Sequence, residues 1–586
     1  MGSTSVKAGD IEVRLEGGGE GFSGSLSTSA LQSGVDLVHL KVAADEAGYP
    51  PEFRLSWSYP LVRVHGFWHP GAGYDKGLRV EWGKGVYSSA TSGAPVGCLY
   101  DLEGRNRLTF ALSDALSPVT FHAGVHEESA EAKCWVRLFD EPLAPLDVYE
   151  ATLRLDTRDL PYHEVLSDVS RWWAGLPGYQ PASVPPTARS PMYSTWYSFH
   201  QDLDPDRVEE QCLLAKELGC EAVTVDDGWQ TTSNERGYAY TGDWEPAPDK
   251  VPDMRAHVER VHALGMKYLL WYSVPFVGIH SKAWERFSGM LLEEIERLGA
   301  GVLDPRFPEV REFLIETYES ALREWDLDGF KLDFVDSFGT SQQTGGGRDH
   351  DGVPEAVDRL LEDTIVRLRR IKPDVMVEFR QGYVGPLMRK YGNMFRAMDC
   401  PNDAVENRVH TLDIRMLGGD TATHSDMLMW HAEDPVESAA LQLVNVIFSV
   451  PQISVLLDRI PSEQVEMLRF WLGFWREHRD VLLDGALQPL HPEANFPVVI
   501  ARTESKLVAA AYGNAVVPLV EEIPSTLLVV NGTLEEGVVL HLEGDQGTRA
   551  VELRDCRGRV TSNDTIGLEA GLLGIDIPPA GVALLR

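Results

Sequence analysis

Cysteine is scarce. The 586 residues hold six, Cys98, Cys134, Cys212, Cys220, Cys400 and Cys556. None sit as C-x-x-C, so a structural zinc site is not expected and the sparse thiols read as reduced, as in a cytoplasm. Positive charge is short as well: 53 Lys and Arg stand against 89 Asp and Glu, a net charge of −36. Such a surface repels phosphate backbones and anionic lipid, which argues against nucleic acid or a membrane as partner. There is no run of about 18 apolar residues that could span a bilayer. The opening MGSTSVKAGDIEV lacks the apolar stretch of a secretory signal, so a cytoplasmic location is expected. No G-x-G-x-x-G occurs within 192–481, where strands and helices alternate, and no Walker, H-x-H, H-E-x-x-H or G-x-S-x-G pattern occurs anywhere, which removes the common nucleotide, zinc and serine-hydrolase sites and leaves no cofactor or metal implied.

What remains is ordinary globular material, 43% hydrophobic and 24% charged. Its texture changes twice. Up to about residue 165 the chain alternates apolar and polar residues between Gly, Pro and Asp turns, as in Ile11-Glu12-Val13-Arg14-Leu15 and Val38-His39-Leu40-Lys41-Val42. That pattern reads as an N-terminal β-sandwich, assigned to 1–175. A stretch rich in Pro, Gly and Ser, 176–191, reads as a linker.

From 192 to 481 short apolar strands alternate with amphipathic helices. Asp204, Pro205 and Gly219 supply N-cap, first-turn and C-terminal stop signals around one helix. Val310, Phe313, Leu314, Tyr318, Ala321, Leu322 and Trp325 make the apolar stripe of another, over 308–325. Alternating β and α over this length predicts a (β/α)₈ TIM barrel, with a doubly wound open sheet as the alternative. Residues 482–586 return to strands and read as a C-terminal antiparallel β-sandwich. The fold class is therefore multidomain, a central barrel flanked by two β domains.

Barrel enzymes carry their working side chains at the C-terminal ends of strands. Polar residues after each apolar run give Asp226 and Asp227 after the second strand, Asp333 after the fourth, Glu378 after the fifth and Asp399 after the sixth. Trp196, Trp229 and Trp271 hold similar positions. Carboxylates bind hydroxyls and do acid/base work, and indole faces stack on the C–H face of a pyranose. Lys331 and Asp333 are two apart on one strand and face the same way, and the cation favours an ionised Asp333. Other readings stay open. Asp226-Asp227 could be a turn or cap pair, and Trp271 a core ring. Arg380 and Arg396 could be structural ion-pair residues, one of them partnered by Glu378.

VTVDDGWQ (223–230), VLDPRFPEVREFL (302–314) and GFKLDFVD (329–336) resemble the melibiase-type α-galactosidases, glycoside hydrolase family 36 of clan D. MYSTWYSF (192–199) is similar to the first-strand motif of that family and of its raffinose synthase relatives. The resemblance implies Asp333 as nucleophile, Lys331 on sugar hydroxyls, Asp226 and Asp227 on the far hydroxyls of a terminal galactosyl unit, and Trp229 shaping the pocket. It implies Asp399 as the acid/base, with Asp403 as rival, because Arg396 precedes Asp399 by three positions where four is usual. Apolar neighbours Met398, Cys400 and Pro401 are expected to keep that carboxyl protonated. Trp196, Trp271, Arg380 and Arg396 complete the expected substrate-binding set. Where the family carries a Cys-Ser-Gly-Gly-Gly-type loop this chain has Glu378-Phe379-Arg380-Gln381-Gly382, which bears on preference at the sugar O2. HSDMLMWH (424–431) is only loosely similar to a raffinose synthase loop.

The implied activity is a retaining exo-α-glycosidase acting on terminal α-galactosyl residues of a small carbohydrate, without cofactor. Alternatives are an α-galactosyl transferase of raffinose synthase type, an α-N-acetylgalactosaminidase or other α-glycosidase, and a non-catalytic carbohydrate-binding protein.

Overall fold

A computed structural model describes residues 4–343, 345–380 and 382–586. Thr344, the first three residues and Gln381 of the fifth-strand loop lie outside it. Two sheets, of seven and six strands, occupy the first 156 residues and close on a core that includes Val13, Leu40, Leu55, Phe110, Phe121 and Leu153. Alternation puts these residues inside: the strand Ile11–Gly17 is buried at every second position.

A helix the sequence reading did not foresee follows, Tyr162–Ala174. It buries Val165, Leu166, Val169 and Trp173, and the Trp173 indole donates to the Leu112 carbonyl at 2.8 Å. The stretch read as a linker is no loose tether either. Ala188 belongs to an apolar cluster with Met192, Ala222, Leu269, Met376, Met394 and Ala422. These residues open the barrel strands, so the stretch stops the floor of the barrel.

Eight parallel strands close that barrel, in order Met192–Ser194, Ala222–Val225, Lys267–Ser273, Gly329–Asp333, Met376–Arg380, Met394–Arg396, Ala422–Leu428 and Val450–Ile453. The helix expected over 308–325 runs Pro308–Glu324, its stripe buried. The Asp204 side chain caps the helix Pro205–Leu218, and Gly219 ends it at φ 96°, where a side chain would be strained. A three-stranded sheet, Phe276–Gly278, Leu291–Ile295 and Ala300–Leu303, is inserted between the third and fourth barrel strands.

The last region, Ala486 to Leu585, forms a seven-stranded and a three-stranded sheet. It is not wholly antiparallel: Lys506–Ala511 runs parallel to Thr526–Asn531, and Val516–Leu519 to Val538–Leu542. Strand order here skips neighbours, which sequence alternation cannot reveal. Among the described residues no helix is long and apolar enough to cross a membrane.

Candidate active site

Side chains on alternate strand positions fill the barrel in layers. Above the apolar floor the register pairs Trp271 with Lys331 and Lys331 with Glu378. One layer up, Ser273 pairs with Asp333 and Arg380 with Arg396. Glu378 therefore lies within its strand, beneath the mouth, and not after the strand as the sequence suggested. Gln452 donates to it at 2.5 Å and Arg396 stands 3.7 Å away.

Asp333 ends the fourth strand in a dense shell of donors. Its Oδ1 accepts from the Tyr383 hydroxyl at 2.8 Å and the Phe334 amide at 2.9 Å, with Arg380 Nη2 at 3.2 Å. Its Oδ2 accepts from Trp271 Nε1 at 3.1 Å. Burial pushes this carboxyl up, but Arg380, Lys331, the Trp271 donor and Arg396 outweigh it and hold it at about 2. Lys331 does not bond Asp333: its ammonium meets Asp226 Oδ2 at 2.6 Å, both groups buried. Asp227 accepts from Gln201 and Gln230, each at 2.7 Å, yet burial raises it to about 6, with Asp226 adding in the same direction.

Asp399 stands three residues past the sixth strand. Its side chain is 41% exposed, with Arg396 Nη2 at 2.9 Å and Arg380 Nη1 at 3.6 Å. Of the apolar neighbours expected to shelter it, Cys400 is buried but Met398 and Pro401 are themselves exposed. Burial raises this carboxyl, but Arg396, Lys331 and Arg380 carry it below the usual range. A single guanidinium, Arg380, thus touches the carboxylates of both Asp333 and Asp399. Asp403 is differently employed. It caps the helix Ala404–Gly418, accepting from the Glu406 amide at 2.9 Å, and accepts from Tyr74 at 3.2 Å.

Trp271 faces the site and stacks on Tyr238 at 6.2 Å. Trp196 sits at the rim, half-buried, beside His200 and Arg236. Trp229 does not line the pocket. It is fully buried, packs against Trp244, Tyr272 and Trp325, and donates to the Trp271 carbonyl at 3.0 Å. Tyr272 alternates with Trp271 and so points outward, and Trp229 follows it into the helix layer. Arg380 and Arg396 act first as partners of carboxylates. His424 is structural: its Nε2 donates to the Ala188 carbonyl at 2.7 Å and its Nδ1 accepts from the Gln452 amide at 3.2 Å.

Sequence reasoning missed three groups. Asp426, on the seventh strand, shares Arg396 with Asp399 and accepts from Tyr197 at 2.9 Å and the Cys400 amide at 2.7 Å. Tyr383 holds Asp333, and Tyr238 covers the aromatic wall. HSDMLMWH contained the only signal for the first, a carboxylate inside an apolar strand. Among the described residues no cluster of three or more His, Cys, Asp or Glu could hold a metal ion.

Residues 186–356 match the Melibiase family model, and the resemblance read from DDGW and K-x-D holds. A probable alpha-galactosidase G from Emericella nidulans is 27% identical over 163 residues, which is 25% of this chain and 22% of that protein. The chain thus matches less than a quarter of that relative's length. An α-galactosidase structure from Lactobacillus brevis superposes with a TM-score of 0.66 at 15% identity, covering 98% of this chain and 82% of that one. The family 36 α-galactosidase AgaA from Geobacillus stearothermophilus, in complex with 1-deoxygalactonojirimycin, gives 0.63 at 14% identity over 98% and 83%. At these identities the superpositions establish a shared fold, a barrel between β domains.

Proposed function

We propose that this chain, whose residues 186–356 match the Melibiase family model, is a retaining exo-α-galactosidase of the glycoside hydrolase family 36 type. The observation that carries the reading is the Arg380 bridge. Two carboxylates at the mouth of a closed barrel lie within reach of one guanidinium, which keeps them near each other, and a double displacement needs two neighbouring carboxyl groups. Asp333, held ionised, attacks the anomeric carbon. Asp399 gives its proton to the departing oxygen and then takes one from water, and two inversions give net retention.

Asp399 is drawn down in the free protein, so it must gain its proton as substrate binds. A bound sugar excludes water from it and brings the leaving oxygen against it, and both favour the neutral acid. Its neighbour Asp426, raised mainly by burial, competes for the same Arg396 guanidinium, so the two titrate as a pair. Asp226 and Asp227 accept from the hydroxyls far from the scissile bond, with Trp271 and Tyr238 as the apolar wall. A galactosyl ligand is supported by the related AgaA, crystallised with 1-deoxygalactonojirimycin and with raffinose. The reading includes a reducing compartment such as the cytoplasm, consistent with six buried thiols that form no bridges.

The test is Asp333→Ala. Turnover of an aryl α-galactoside should fall by roughly four orders of magnitude or more. Azide should restore part of it and yield a β-galactosyl azide. Near-native turnover by the variant would remove Asp333 from the role. The anomer first released by the wild type, followed by NMR, decides retention, and products at high acceptor sugar concentration decide hydrolysis against transfer.

A further inference from the structure

The two oxygens of Asp333 are treated unequally. Oδ1 receives the Tyr383 hydroxyl, the Phe334 amide and Arg380, whereas among the described residues Oδ2 receives only Trp271 Nε1. Tyr383 is buried, and its hydroxyl is fully used. It donates to Asp333 and accepts from the Phe334 amide at 2.9 Å and from Arg380 Nη2 at 2.8 Å. No capacity is left on it for a sugar. Phe334 sits at φ 65°, a left-handed conformation that is costly for a bulky residue and marks a constrained turn. Arg380 is itself packed over the Phe334 ring at 5.0 Å. Arg380 ends the fifth strand within the segment 378–382, where the chain departs from the glycine-rich pattern of the family it resembles, and Tyr383 follows that segment directly.

We propose that Tyr383, braced by Arg380, is a positioning residue that pins Oδ1 of Asp333 and leaves Oδ2 as the atom that attacks. The inference rests on Asp333 being the nucleophile. A lone pair of Oδ2 forms the bond to the anomeric carbon as the glycosidic C–O bond breaks. That bond's electron pair stays on the leaving oxygen, which takes the proton of Asp399. Oδ1 becomes the carbonyl oxygen of the glycosyl ester and keeps its donors, so the carboxyl group need not turn between the two half-reactions. When water attacks, its proton goes to Asp399 and the C–Oδ2 pair returns to Asp333.

The experiment is the near-isosteric Tyr383→Phe, probed with 5-fluoro-α-galactosyl fluoride, which traps the glycosyl-enzyme. Losing a hydrogen bond to a charged group predicts labelling about 10–100-fold slower. Binding of 1-deoxygalactonojirimycin should stay within about threefold, because the pocket is unaltered, and the labelled peptide should still contain Asp333. The acid limb of kcat/KM should also move to higher pH, since the ionised form has lost a donor. A merely structural tyrosine would not shift that limb. Labelling within about twofold of wild type, in a variant that binds the iminosugar normally, overturns the proposal and leaves the nucleophile intact. A wild-type label on a residue other than Asp333 overturns both readings. If Tyr383→Phe does not fold, Arg380→Lys serves. A compact ammonium cannot brace the hydroxyl and reach both carboxylates, so labelling should slow at least about tenfold, and an unchanged rate overturns the proposal.

Discussion

Asp226 and Asp227 are neighbours with opposite electrostatics. Asp226 is neutralised by Lys331 at 2.6 Å, while Asp227 has only neutral amide donors and burial lifts it to about 6. A carboxyl raised on folding stabilises the protein below its unfolded value and loses that contribution as pH rises through the folded one. Asp227 should therefore cost about 3 kcal/mol of stability between roughly pH 4 and pH 6. Asp227→Asn should flatten that part of the curve, seen as the difference between the two proteins' urea midpoints at pH 4 and pH 7. A parallel pair of curves would place Asp227 in a wetter setting. In Asp226→Ala the unpaired Lys331 remains buried, and stability should drop by about 3–5 kcal/mol together with a loss in kcat/KM. Urea denaturation reads the first and aryl α-galactoside kinetics the second. Asp333, Asp226 and Lys331 were legible because strand alternation and short motifs fix their direction. Tyr383 and Asp426 were not, since their meaning lies in partners 50 and 30 residues away. Trp229 misled because its nearness in sequence to Asp227 hides a backbone turn that sends its ring outward.

At the scale of the element, helix ends give Asp399 and Asp403 different settings. The Asp403 side chain closes the first turn of Ala404–Gly418. Asp403→Ala should cost about 1 kcal/mol of stability and change cleavage of all leaving groups alike. Asp399→Ala should cripple cleavage of an oligosaccharide yet spare glycosylation by a dinitrophenyl galactoside, giving a burst followed by slow turnover. Azide should then speed that turnover and yield an α-galactosyl azide. If Asp403→Ala shows the burst and Asp399→Ala does not, the acid/base role passes to Asp403. Helices with an amphipathic stripe, such as Pro308–Glu324, could be read from sequence. Tyr162–Ala174 carries the same kind of stripe, Tyr162, Val165, Leu166, Val169 and Trp173, and was overlooked because it follows directly on strand texture. The floor-sealing role of Ala188 had no local signal: Pro and Gly there look the same in a plug and in a tether.

At the scale of the molecule, the N-terminal sandwich reaches the mouth of the barrel and one of its outer helices. The Gly93 amide donates to the Gly382 carbonyl at 2.7 Å, between Arg380 at the strand end and Tyr383 in the loop that follows. Tyr74 reaches Asp403, and Thr340 donates to Glu141 at 3.0 Å. Deeper in, the Trp68 indole donates to Asp413 at 2.8 Å, and the buried Lys76 ammonium lies 3.8 Å from that carboxylate and 4.8 Å from the Phe496 ring. Trp68, Val96 and Tyr100 of the sandwich share one apolar core with barrel residues and with Val499 and Ala501 of the last β region. Domain boundaries read from composition are therefore not boundaries of packing. Trp68→Ala opens a cavity and strips Asp413 of its indole donor, at a cost of about 3–5 kcal/mol. Because that core is shared, the penalty should appear in the barrel: the temperature at which activity is lost should fall in step with the melting of the β-rich signal by circular dichroism. If activity keeps its wild-type thermal midpoint while the β signal melts early, the sandwich and barrel are energetically separate, and the contacts at Gly93 and Tyr74 do not carry stability between them.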